Sequence, residues 1–139
     1  MKRGRKSGYT FLELLLVLAV IGIAAAIVAP VFSKGLDGLR AKSAVRLIKS
    51  GLGQARTRAI KERSVHYAVY NGRSLSMRDE LGWTRLISLP EGAEAPARPA
   101  AVFYPTGSAN GAEFEVRYGL YAYRLTLEGS GRSWVAQIQ

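Results

Sequence analysis

Few residues in this chain can do chemistry. It has no cysteine and one histidine, His66. A disulfide framework, a thiolate metal site and the usual nucleophile–base pairs are therefore excluded or nearly so. A lone histidine makes no zinc cluster, and its place in the alternating stretch VHYAVY (65–70) reads as an ordinary strand position. The pair Asp79–Glu80 lies in the turn-like RDELG, where acids serve as solvated turn or capping groups. Glu113 and Glu115 flank Phe114 on the polar side of an alternating segment. GSANG and GSGR contain glycines but lack the strand–loop–helix context of a phosphate cradle. No enzyme, metal or cofactor is expected. One acid asks for an explanation. Glu13 sits near the start of GYTFLELLLVLAVIGIAAAIVAP (8–30), a stretch otherwise suited to lipid. An ionised group inside hydrocarbon costs at least about 2.5 kcal/mol. Near the end of the run it can also reach the interface and stay hydrated.

The elements around Glu13 come from composition and period. No charge occurs from Leu14 to Phe32, and as a helix those residues span about 28 Å, close to a bilayer core. A cleavable secretory signal fits less well, because the run exceeds the usual h-region of roughly 7–15 residues. The chain has 20 Lys and Arg against 10 Asp and Glu, a formal charge of +10. Lys2, Arg3, Arg5 and Lys6 crowd a short leader. Lys34, Arg40, Lys42, Arg46 and Lys49 closely follow the run, so the positive-inside count does not orient it.

Beyond the run, Ala41, Val45, Ile48, Leu52, Ala55 and Ala59 recur at steps of three and four and share one helical face. The spacing predicts one long helix from about Tyr9 to Glu62, lipid-like in its first half and amphipathic in its second, with Pro30, Gly35 and Gly38 as bend points. The basic residues Arg40, Lys42, Arg46, Lys49, Arg56 and Lys61 fall mostly off the stripe. They form a solvated face or a contact for lipid headgroups or neighbouring subunits. Nucleic acid is the weaker partner, since Tyr67, Tyr70 and Trp83 lie on strands and do not interleave those charges.

After Ser64 the period becomes two. Val65, Tyr67 and Val69 share a face, Asn71–Gly72 marks a hairpin, and Leu75 and Met77 share a face of the next strand. Further strands are expected at 83–89, 100–104, 113–118, 121–127 and 133–138, with Pro90–Pro99 as a loop. The expectation is an α+β fold: one long helix covering one antiparallel, mostly hairpin-connected sheet.

These residues carry a resemblance. KSG followed by YTFLELLLVLAVIGIAAAIVAP resembles the class III signal of type IV prepilins and type II secretion pseudopilins. That resemblance implies cleavage after Gly8 by a prepilin peptidase, N-methylation of the new terminus Tyr9, and Glu13 as the fifth mature residue. Pro30 becomes the twenty-second, the family's helix-bending proline. Tyr9 departs from the usual phenylalanine but keeps the ring. The resemblance also gives Glu13 a role, pairing with the N-terminal amine of a neighbouring subunit during assembly. That offsets two charges otherwise unpaired in a helical bundle. Gly22, Ala26 and Pro30 form a small-residue row that either permits close helix packing or is ordinary membrane-helix composition.

In the second half, Phe103, Pro105 and Gly107, then Gly111, then Gly131–Arg132 resemble the turn, hairpin and last strand of H-type minor pseudopilins and of minor pilins of the FimT kind. The implied organisation is a cleaved leader at 1–8, a transmembrane assembly helix at 9–32, its amphipathic continuation at 33–63 and a periplasmic type IV pilin-like sheet domain at 64–139. The implied partners are the prepilin peptidase and N-methyltransferase, other major and minor pseudopilins, the inner-membrane assembly platform and membrane lipid. The implied function is structural: a minor pseudopilin of a type II secretion pseudopilus, anchored once in the inner membrane. A minor type IV pilin and a generic signal-anchored periplasmic binding domain are the alternatives.

Overall fold

A computed structural model describes residues 9–94 and 99–138, with the side chains of 29–34 outside the description. The chain divides into two units, Met1–Gly35 and Leu36–Gln139, and helix α1 (Phe11–Glu62) is assigned through both. In the first unit every described side chain from Tyr9 to Val28 is exposed, and Phe11–Val28 is long and apolar enough to cross a membrane.

The second unit holds the rest of α1 and seven strands: β1 (His66–Tyr70), β2 (Ser74–Asp79), β3 (Thr84–Ser88), β4 (Ala100–Phe103), β5 (Ala112–Tyr118), β6 (Tyr121–Leu127) and β7 (Ser133–Gln137). All pairings are antiparallel. The strands form two sheets where one was expected, ordered β3-β2-β1-β4 and β5-β6-β7. The division falls between β4 and β5, where the chain leaves one ladder and opens a second. Ala109 forms a single bridge back to Phe103.

The six stripe residues of α1 are all buried, together with Ala44. They pack into one core with Tyr70, Leu75, Met77, Phe103, Phe114, Val116 and Leu125 from both sheets. Small residues on the helix let large ones on the sheets fill the space. Gly51 marks the tightest approach: a β-carbon there would lie 2.5 Å from Leu75 Cδ2 and 3.0 Å from Ile87 Cδ1.

Strand β1 turns the face with the histidine inward. His66, Ala68 and Tyr70 are buried, while Val65, Tyr67 and Val69 are only partly covered. Both sets alternate equally well, so period alone does not choose between them. Register does: Ala68 pairs with buried Met77 on one side and buried Ala101 on the other, which aligns three inward residues on neighbouring strands. At the hairpin, Asn71 Oδ1 accepts from the backbone N–H groups of Arg73 and Ser74, and Gly72 takes a φ of 89°.

Candidate functional site

The N-terminal segment is organised by a cap. Thr10 precedes the helix, its Oγ1 accepts from the Glu13 N–H at 3.3 Å, and its carbonyl accepts from Glu13 and Leu14 N–H groups at 3.0 and 3.2 Å. Thr-x-x-Glu is the spacing of a capping box, a signal carried by the local sequence. Glu13 thus lies in the first turn, where the helix dipole favours an anion. Its neighbours on the surface are Thr10, Leu12, Leu15 and Leu16, all exposed. No ion pair to Glu13 is present among the described residues. Gly8 lies outside the described residues, so only the Tyr9 side of the expected cut is in view, and Tyr9 is exposed. The helix is assigned through Pro30, whose side chain lies outside the description. Gly22 and Ala26 are exposed, and a β-carbon on Gly22 would meet nothing within 4 Å.

At the other end of α1, Phe103, Pro105 and Gly107 form a turn in which the Gly107 N–H donates to the Tyr104 carbonyl at 2.8 Å. Gly107 has a φ of 82°, and its carbonyl accepts from Arg56 Nε at 2.9 Å. Arg56 also donates to the Ser130 carbonyl at 3.3 Å, beside Gly131 with a φ of 76°. Arg56, read from the sequence as one member of a solvated basic face, therefore ties the helix to two loops. Charge-assisted bonds of this kind are about twice as strong as neutral ones. Lys42, Arg46 and Lys49 remain exposed.

His66 takes the strand position expected of it, at the start of β1 and on the buried side. Helix α1 ends at Glu62, and Arg63 turns the chain with a φ of 52°, the left-handed geometry that commonly closes helices. The turn brings His66, 0% exposed, against the end of the helix: its Nε2 lies 3.3 Å from Glu62 Oε2 and 3.9 Å from Asp79 Oδ2. Asp79 does cap a turn as expected, since its Oδ1 accepts from the Leu81 and Trp83 N–H groups at 2.9 and 2.7 Å. Its side chain is nevertheless only 3% exposed, not solvated. Trp83 packs beside His66 with ring centres 5.8 Å apart, and the Arg58 guanidinium lies 4.0 Å above the indole. Local patterning carried one hint of this cluster, the four-residue spacing of Glu62 and His66; Asp79 arrives only through β1–β2 pairing.

Burial has a second chemical consequence in the core. Tyr70 is enclosed, and its hydroxyl has no hydrogen-bond partner among the described residues. Its pKa is pushed up to about 12, first by burial and then by the neighbouring Tyr118. Tyr118 is also raised by burial, partly offset by Arg40, and its hydroxyl donates to the Pro90 carbonyl at 2.7 Å.

Comparison with known proteins matches these features. Residues 3–29 fit the prokaryotic N-terminal methylation motif. A 58-residue stretch is 40% identical to type II secretion system protein H of Xanthomonas campestris pv. campestris, covering 42% of this chain but 34% of that relative's length. In three dimensions the chain is similar to the type IV minor pilin FimU of Pseudomonas aeruginosa, with a TM-score of 0.53, 16% identity, and coverage of 68% of this chain and 91% of that one. The fold is that of type IV pilins: an N-terminal apolar helix continuing into a domain of antiparallel sheets. The methylation motif and the local sequence match add a similarity to type II secretion system protein H, of whose length the chain spans about a third.

Proposed function

We propose that this protein is a minor pseudopilin of a type II secretion pseudopilus. The observation that supports it best is an exposed apolar helix segment with Glu13 in its first turn, directly following a sequence that fits the N-terminal methylation motif. On this reading a prepilin peptidase cuts after Gly8, Tyr9 is N-methylated, and the subunit waits in the inner membrane with residues 64–139 in the periplasm. The apolar surface of Phe11–Val28 then exchanges lipid for the helices of other subunits. The role is structural, at the initiating end or tip of the pseudopilus, and not catalytic.

Glu13 gives direction to that exchange. A carboxylate and an amine leaving water separately each pay a desolvation penalty, which pairing in good geometry offsets. Glu13 therefore rewards the register that places it against a neighbour's Tyr9 amine. Pro30 would bend the helix within the assembly.

The N-terminal peptide mass, measured in cells carrying the peptidase, tests processing. The expected product begins at methylated Tyr9; an intact Met1 terminus would support a generic anchored domain instead. Glu13→Ala is expected to leave cleavage nearly unchanged and to block incorporation. Normal secretion with that variant would remove the proposed role of the carboxylate. The fold similarity to a minor pilin favours a second reading, a minor subunit of a type IV pilus. Deleting the gene separates the two, by loss of export of folded proteins or loss of piliation.

A further inference from the structure

His66 Nε2 and one carboxylate oxygen each from Glu62 and Asp79 converge at the end of α1. His66 Nδ1 lies 3.3 Å from the Ser64 carbonyl oxygen, which can only accept, and 3.5 Å from the Ser64 hydroxyl, which can accept or donate. With the ring proton on Nδ1 and directed at the carbonyl, Nε2 is presented as a lone pair. That atom is fully buried, makes no hydrogen bond, and faces the Glu62 and Asp79 carboxylates. The three inward atoms all lie within 4.8 Å of one another. An N–H on Nε2 can satisfy the carboxylates one at a time, whereas a metal ion can satisfy all three atoms together.

We propose that Glu62, His66 and Asp79 form a binding site for a borderline divalent transition-metal ion of the zinc class, which clamps the end of α1 to strands β1 and β2. The outward atoms of all three residues are already engaged. His66 Nδ1 faces the Ser64 carbonyl, Asp79 Oδ1 holds two backbone N–H groups, and Glu62 Oε1 meets the Arg58 guanidinium at 3.3 Å. That is the outer support which orients metal ligands: a histidine donating its far N–H to a carbonyl, and carboxylates held by hydrogen bonds. One imidazole nitrogen with two carboxylate oxygens suits zinc better than calcium, which takes six to eight oxygens, or magnesium, which prefers oxygen and keeps its waters. Bonds of about 2.0 Å in a tetrahedral site separate the ligand atoms by roughly 3.3 Å. The Nε2 to Glu62 distance has that value, the Asp79 oxygen lies farther off at 3.9 Å, and all three atoms lie within 4.8 Å of one another, so the carboxylates draw in as the ion binds. Glu62, 36% exposed, provides the side from which an ion enters and where water completes the coordination. Arg58 is the charged group opposing the ion, and its hold on Glu62 Oε1 leaves Oε2 free to bind.

Such a clamp would stabilise a chain that has no disulfides. It joins residues brought together by a helix end, a left-handed turn and a strand pairing.

The single histidine makes the test direct. The untagged full-length protein, in detergent and stripped with a chelator, is titrated with zinc and with magnesium while imidazole nitrogen-15 shifts are followed. Zinc is expected to move Nε2 and leave Nδ1 protonated, and to raise the thermal midpoint with concentration; magnesium is expected to do neither. Glu62→Gln, at the exposed helix end, should weaken zinc by more than the roughly 10–100-fold that loss of an outer partner costs. His66→Gln and Asp79→Asn should abolish the response. If either of those two fails to fold, the unaltered protein and Glu62→Gln decide. An Nε2 that ignores millimolar zinc would overturn the proposal. Undiminished zinc stabilisation in Glu62→Gln would overturn it as adventitious binding elsewhere.

Discussion

The two halves of α1 both carry apolar residues and meet opposite fates. From Phe11 to Val28 the side chains are mostly apolar, many of them large, and exposed; from Ala41 to Ala59 a one-sided apolar stripe is mostly small and buried. The difference lies in what covers them. Burying an aliphatic side chain is worth about 1.5–3 kcal/mol, so an uncovered run of Leu, Ile and Val is a strong demand for lipid or other subunits. The second half meets that demand within the chain, and its alanines let the sheets supply the bulk through Tyr70, Phe103 and Phe114. One half thus leaves its apolar surface uncovered, and the other buries it against the sheets of the same chain.

Matched substitutions test this contrast most severely. Ile48→Ala should lower the unfolding free energy of the sheet-bearing unit by about 2–5 kcal/mol, measured by denaturant titration. Leu16→Ala, an equivalent truncation on an exposed side chain, should leave that transition within about 0.5 kcal/mol. A comparable loss from both would break the distinction. The helix glycines give a smaller version. Gly51→Val would force Leu75 and Ile87 aside and should cost about 1–3 kcal/mol, whereas Gly22→Val meets open space and should not move the same transition.

The smallest expected effect concerns the chemistry of the buried half alone. The folded Tyr70 holds its proton to about pH 12, against an ordinary value of 10.0. Its contribution to stability is complete below pH 10 and lost as pH rises towards 12, because the unfolded chain ionises first. Tyr70→Phe should flatten that alkaline loss, leaving a remainder from Tyr118. Near neutral pH it should be neutral or stabilising by up to about 1 kcal/mol, since it removes a buried hydroxyl without a partner. Thermal melts across pH 7 to 11 check both statements. An unchanged alkaline limb in Tyr70→Phe would mean that Tyr70 ionises in the folded state without penalty.

The amino-acid order alone determined the helix, the seven strands and the inward face of α1, because those depend on period and on turn residues such as Asn71–Gly72. It also singled out Gly8, Tyr9, Glu13 and Pro30, through a local motif that needs no folding to be read. It left the T-x-x-E cap in view but unread. What it could not contain was the outcome of pairing between distant segments. Val65, Tyr67 and Val69 make the more apolar of the two alternating faces at β1, and only register against Met77 and Ala101 turned His66 inward. Only contacts across the fold drew Arg56 to the Gly107 loop and placed Asp79 beside the end of α1. Local order sets what each segment can be; tertiary structure decided which side chains share a dry space, and so which of them must find a partner there.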